Sequence, residues 1–323
     1  MLPSNSNRIT EYLRMIVQIL RTMTVMSDMM RCSSGDECQE PGNRAEHRWN
    51  PSLRRLGLSL LLILAAVSVR GGEPDGFVRV SQPGETLRYK VKWHFVRLGT
   101  ITIRTFRDST CGSPTEYRVA MIVESNPDLS FVAIREYNES FMKAGVAGSQ
   151  GFRGKHFDGD ACTVIRRDYD ENGRTVVSCV RDGRTGGVVR LDTLRGVSTY
   201  LEGPSLFQFA RCASRAGGSR SMPTLVGGDM SSTDFEFGGE ADDVEIGACE
   251  TPVHTRTFTG FAHWTGGTSV GLTGEFTGWL SDDEASVPIR AEMRTLLGPI
   301  TLELEQWTRD GWSPRPALQA SSK

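Results

Sequence analysis

The stretch LRYKVKWHF, from Leu87 to Phe95, decides the fold. Apolar Leu87, Tyr89, Val91, Trp93 and Phe95 alternate with Arg88, Lys90, Lys92 and His94. A period of two sends neighbouring side chains to opposite faces, so the segment reads as a half-buried strand. Leu98-Gly99 interrupts the rhythm, and Ile101, Ile103 and Thr105 resume it, which predicts a hairpin.

The same alternation recurs outward from this stretch. It marks Tyr117–Val123, Phe131–Met142, Cys162–Tyr169, Thr175–Val180 and Gly187–Leu191, then Thr233–Phe237, Val253–Phe261, Leu272–Leu280, Val287–Met293 and Ile300–Leu304. Asn172-Gly173, Asp182-Gly183 and Gly266-Gly267 punctuate the runs as tight turns do. One segment departs from the rhythm. Pro204 suits a first helical turn, and Leu206, Phe207 and Ala210 would share a face, so a helix is expected there. Ala213–Gly228 is rich in Gly and Ser and reads as a loop, with a short strand near Thr224–Val226.

Ten or more strands and one helix exclude a layered α/β fold. A one-faced antiparallel sheet must bury its apolar side, and one helix covers only about three or four strands. The expectation is a mainly β chain: a strongly curved antiparallel sheet or half-open barrel with one helix packed on it. Such a sheet offers a cavity to an apolar ligand. Strand parity nominates Tyr89, Trp93, Ile101, Ile103, Phe276 and Leu280 for its lining.

Arg54-Arg55 precedes an unbroken apolar run, Leu56–Val69, which has the basic start and small-residue exit of a secretion signal. The run falls short of the about 20 apolar residues of a membrane span. Residues 54–70 are therefore expected to be a signal peptide of an exported protein, periplasmic or extracellular, with no stable transmembrane span. Residues 1–53 read either as a start-site artefact, the favoured reading, or as a genuine non-structured extension. Ile9, Leu13, Ile16, Val17 and Leu20 recur at helical spacing within them. Residues 71–82 are expected to be a linker, 83–307 a single β domain and 308–323 a flexible tail.

Of 323 residues, 37 are Lys or Arg and 39 are Asp or Glu, a net charge of −2. Nine of the basic and six of the acidic residues precede Gly71, so the remainder carries about −5. No basic face or polybasic run calls for nucleic acid or an anionic membrane surface. Five of the seven cysteines lie beyond the signal: Cys111, Cys162, Cys179, Cys212 and Cys249. A two-residue hairpin loop at Asn172-Gly173 sets Cys179 opposite Arg166, too far from Cys162 for a disulfide. Cys212 and Cys249 bracket the Gly-rich stretch and form a better candidate pair.

Three constellations could carry chemistry, and each has a plainer reading. Ser281-Asp282-Asp283 offers paired carboxylates, but it lies between two strands, where Ser and Asp brace turns. Asp168-x-Asp170-x-Asn172-Gly173 opens like a calcium loop, but the twelfth position is Cys179 instead of a bidentate Glu, and the Asn-Gly hairpin explains the same residues. Gly267-Thr268-Ser269-Val270-Gly271 fits the nucleophile-elbow pattern, but a strand-like run follows where a helix is required. His94, His254 and His263 share no metal-ligand spacing. Trp93, Trp264, Trp279 and Trp307 read as sheet packing. No catalytic residue, metal or cofactor is expected from these residues.

Gly84-Glu85-x-Leu87-x-Tyr89 is followed by Trp93 and Gly99, and later by Trp279-Leu280-Ser281-Asp282-Asp283, Val287-Pro288-Ile289 and Gly298-Pro299-Ile300-x-Leu302-Glu303-Leu304. This set resembles the exported bacterial domain-of-unknown-function family 3108, over roughly Pro83 to Gln306. The resemblance implies an envelope protein with a curved antiparallel sheet, distantly like the lipoprotein carriers LolA and LolB, which hold acyl chains in a half-open barrel. It brings no catalytic residues, and it leaves Gly84, Glu85, Trp279, Ser281, Asp282, Asp283 and Pro288 as motif positions with a structural role. The expected function is therefore non-catalytic: holding an apolar or lipid-like ligand, or assembling with another envelope protein. A hydrolase centred on Ser269 or the Asp282–Asp283 pair is the remaining reading.

Overall fold

A computed structural model describes residues 74–108, 116–129, 134–144, 148–170, 173–226, 228–263, 272–295 and 298–317. The expected signal segment, Cys111, Trp264, Ser269 and Asn172 lie outside the described residues.

A short helix, α1 (Pro74–Val80), precedes eight strands: β1 (Thr86–Trp93), β2 (Val96–Arg107), β3 (Tyr117–Ser125), β4 (Ile134–Met142), β5 (Ser149–Asp158), β6 (Ala161–Tyr169), β7 (Thr175–Asp182) and β8 (Val188–Arg195). Helix α2 (Gly203–Ser214) follows. Six strands complete the chain: β9 (Gly218–Val226), β10 (Asp229–Val244), β11 (Val253–Ala262), β12 (Leu272–Ser281), β13 (Pro288–Thr295) and β14 (Ile300–Thr308).

All 14 strands belong to one antiparallel sheet, ordered β8 to β1, then β14 back to β9. Two meanders therefore meet where β1 pairs with β14, setting Tyr89 opposite Leu304. The chain leaves one edge at β8, crosses by α2, and re-enters at the other edge as β9. The hydrogen-bond ladder does not close into a barrel, yet the sheet wraps. Val176 of β7 and Leu194 of β8 share an apolar cluster with Leu225 of β9, through Val197 and Tyr200. Leu201 bridges in parallel to β9, its N–H donating to Pro223 O and its carbonyl accepting from Leu225 N, both at 2.8 Å.

Three local differences from the sequence expectations have clear causes. The first strand turns at His94-Phe95, and Leu98-Gly99 lies within β2. A bulge sets Val91 opposite Gly99 but Lys92 opposite Arg97, so Leu98 is the extra residue and parity is lost there. Phe95 consequently stands 94% exposed in the turn. Residues 74–80, inside the expected linker, are helical because Phe77 and Val80 are buried, with the Phe77 and Tyr117 ring centroids 5.2 Å apart. The expected tail is tied down to residue 317. Trp312 packs edge-on against Trp307, Arg315 O accepts from His254 N at 3.0 Å, and Ala317 N donates to Pro252 O at 2.8 Å.

α2 is wedged into the curve against α1, β3, β4 and β10. Its two apolar sides serve different clusters: Phe207 meets Tyr89 at 5.9 Å, while Leu206, Phe209 and Ala210 join a phenylalanine cluster. Arg211 is fully buried and binds Glu85 with both nitrogens, at 2.7 and 2.9 Å. Arg309 binds the same carboxylate at 2.6 Å and the carbonyls of Arg79 and Val80. Burial pushes the Glu85 carboxyl up, but the two guanidinium groups outweigh it and hold it below its ordinary value. One carboxylate thus joins the start of β1, both helices and the C-terminal segment.

Cys162, Cys179, Cys212 and Cys249 are free thiols. Arg166 stands opposite Cys179, the register expected of the Asn172-Gly173 hairpin. Cys212 and Cys249 pack against the same apolar cluster without a bond.

Candidate functional site

The candidate site is built on cross-strand rows of Phe and Gly in the β9–β13 half of the sheet. One row runs Arg220, Phe235, Gly260, Phe276 and Met293; a second on the same face runs Phe237, Phe258, Gly278 and Ala291. Gly260 and Gly278 are required by close approach. A Cβ on Gly260 would collide with the Phe276 ring and the Asp234 carbonyl, and one on Gly278 with the Phe258 ring. The rings lie across the strands where the glycines leave room. Phe235 and Phe237 stack at 5.5 Å with 7° between their planes, and Phe209 of α2 reaches Phe235 at 5.3 Å.

On the other face of these strands lies a groove of about 640 Å³ that carries the exposed Phe261 ring beside Thr259, Thr277 and Arg294; Phe235 and Phe276 border it from the buried side. The rim charges are largely paired. Arg294 binds Glu275 at 3.0 Å, His263 binds Asp234 at 2.6 Å, and Ser219 donates to Glu236. The bonds from Ser221 and His263 hold the Asp234 carboxyl below its ordinary value. The groove thus joins one exposed aromatic ring to a rim of compensated charge, which suits an apolar guest better than a strongly charged one.

Only Phe276 of the six nominated lining residues borders this groove. Leu280 lies deeper in the phenylalanine cluster. Tyr89 and Ile103 are buried in the cluster around β1, Trp93 packs in a neighbouring one, and Ile101 touches both. The space between helix and sheet is thus occupied by side chains, with Phe207 and Phe209 at its centre. Phe235, Phe261 and Gly260 were not singled out in the sequence. The signal available was the pair Phe235-x-Phe237 together with Gly260 and Gly278, one and two turns of the meander away.

The motif residues brace the fold. Gly84, at φ +91°, donates its N–H to Thr105 O at 2.9 Å. Asp283 Oδ1 accepts from Ser281 Oγ and from the N–H groups of Ala285 and Ser286, and its Oδ2 accepts from Trp312 Nε1 at 2.8 Å. The Trp279 ring lies beneath Arg290, and its Nε1 donates to Asp242. Pro288 stands opposite Leu280. Asp282 binds Arg256 at 2.7 Å, and His254 lies 3.8 Å from Asp282 and 2.9 Å from Asp243. A histidine does therefore approach this carboxylate, but the neighbouring Ser281 hydroxyl is spent on Asp283 while accepting from Val287 N. Asp170 accepts from Arg174 N and Thr175 N, closing its hairpin, and Asp168 pairs with Arg153 and Arg166. Among the described residues, no three of His, Cys, Asp and Glu are grouped to hold a metal ion.

No family model matches the chain. No curated protein matches it either. Seven solved chains do. A β-barrel-like protein of domain of unknown function 1849 from Brucella abortus is 12% identical, with a TM-score of 0.44 over 71% of this chain and 98% of that one. LprF from Mycobacterium bovis is 12% identical, with a TM-score of 0.22 over 76% of this chain and 99% of that one. Neither superposition is close enough to carry an argument about function. The membership in family 3108 expected from the sequence motifs is thus not supported by any family model.

Proposed function

We propose that this chain is an exported, non-catalytic cell-envelope protein that holds an apolar or lipid-like ligand on its curved sheet. The groove that carries the exposed Phe261 ring, backed by the phenylalanine cluster, carries the reading. Its volume of about 640 Å³ falls within the roughly 300–1,000 Å³ of ligand pockets. Export is supported by the Arg54–Val69 segment. Among the described residues, no helix is long and apolar enough to cross a membrane. Native mass spectrometry after exposure to a long-chain fatty acid tests the proposal. A bound mass is expected, and Phe261→Asp, a change at a half-exposed ring, should remove it while leaving the melting temperature within a few degrees. A clean ligand-free mass for the unaltered chain would overturn the reading.

A second reading, assembly with another envelope protein, is favoured by the edge strand β8. Val189 and Leu191 are each 64% exposed there, beside exposed Val188. Edge strands commonly carry protective charge or Pro at such positions. An envelope partner that co-purifies with the unaltered chain but not with Leu191→Lys would replace the first reading with this one.

A further inference from the structure

The opposite half of the sheet holds a buried polar cluster that the groove does not use. Ser140, Phe152, Arg167 and Ser178 form a row across β4 to β7. Arg167 is 4% exposed and lies over the Phe152 ring at 4.9 Å. Its Nε makes no hydrogen bond, and among the described residues no carboxylate comes within ion-pair distance of its guanidinium. Glu202, just before α2, is 3% exposed; its Oε1 accepts from Ser140 Oγ at 3.1 Å, while its Oε2 has no partner. The hydroxyls of Tyr169 and Ser178 are also buried without partners, Tyr200 interacts with Glu202 and Ser149, and the two tyrosine rings lie 5.7 Å apart.

A buried cation whose interacting carboxylate, Glu202, lies beyond ion-pair distance is costly, and so is each unmade buried hydrogen bond. The groups left without partners are the Arg167 Nε–H and the hydroxyls of Tyr169 and Ser178, each able to donate, beside the Glu202 Oε2. Burial pushes the Glu202 carboxyl up to about 7, with Arg167 opposing, so through the mildly acidic range it is neutral. Arg167, Tyr169, Tyr200 and Glu202 are the titratable groups that act on one another here. What would satisfy this set is a compact, negatively charged acceptor.

We propose that this cluster is a binding site for a small oxyanion of the carboxylate or phosphate class, held by Arg167 with Tyr169 and Ser178. The anion would supply the direct ion pair that Glu202 does not make with Arg167, and would accept from the Tyr169 and Ser178 hydroxyls. Glu202 opposes it when ionised and donates to it when protonated. This inference does not rest on the groove.

The test is thermal unfolding of the full chain titrated with sodium acetate or inorganic phosphate, against sodium chloride at equal ionic strength. At least one oxyanion should raise the melting temperature where chloride does not. A hydrogen bond to a charged group corresponds to tenfold or more in affinity. Arg167→Gln should therefore weaken the apparent Kd at least about tenfold, and Glu202→Gln should strengthen binding at pH 8. Tyr169→Phe, a milder change, serves if Arg167→Gln does not fold, and should also weaken binding. Octanoate acting more strongly than acetate, with the effect lost in Arg167→Gln, assigns a lipid carboxylate; equal action assigns a free small anion. Oxyanions no better than chloride, or responses unchanged in all three variants, would overturn the proposal.

Discussion

Gly260 shows how much one missing atom decides. Its place opposite Phe276 lets the ring lie flat across the sheet, and that ring belongs to the phenylalanine cluster that backs the groove. Gly260→Ala should cost about 1–3 kcal/mol, as overpacking does where the neighbour is backbone as well as ring. A lower urea midpoint at unchanged m-value is the expected result. The position was not readable from the chain alone, because nothing local marks it. Gly260 matters through a residue sixteen positions away, and that pairing depends on the register of the β11–β12 hairpin. Asp283 is the converse. Ser and Asp between two strands predicted a braced turn, and the side chain does cap three donors within that turn, Ser281 Oγ and the N–H groups of Ala285 and Ser286. Local chemistry was legible, and cross-strand chemistry was not.

Among the elements, those with unbroken alternation were visible in the sequence, and those without it were not. β5 carries Gly151 and Gly154 among Arg153, Lys155 and His156, which leaves no apolar period to follow. β9 is Gly- and Ser-rich and contains Pro223, which an edge strand tolerates because its outer side meets only the single bridge from Leu201, and that bridge asks Pro223 for its carbonyl and not for an N–H. α1 has seven residues, too few to show a helical period, and only Phe77 and Val80 betray it. That helix is nonetheless part of the core. Replacing a buried Phe by Ala typically costs about 3–5 kcal/mol, so Phe77→Ala should lower the denaturation midpoint markedly. If α1 were a dispensable linker, the midpoint would not move.

The whole molecule should respond to pH from both sides. Burial pushes the Glu136 carboxyl to about 8, with only Asn138 opposing, and Glu202 to about 7. Both bind protons more tightly folded than unfolded, so the stability they contribute is complete below their unfolded values and is lost as pH rises through 7 to 8. Glu303 is the opposite case. Burial raises its carboxyl, but bonds from Lys90 and Lys92 prevail and hold it at about 2. Its contribution is present above the unfolded value and is lost as pH falls towards 2. Melting temperature should therefore peak in mildly acidic buffer. Glu136→Gln and Glu202→Gln should flatten the alkaline limb alone; an unchanged limb in both would refute the assignment.

The pairing of β1 with β14 also sets an order of events. The two strands are separated by some two hundred residues, yet they form the middle of the sheet and not its rim. Closing so long a loop is the slow kind of step in folding. A ribosome or translocation channel releases the central strand last, so the two meanders must wait with an open seam until Thr308 emerges. A chain cut short before β14 loses its keystone, and not a fringe.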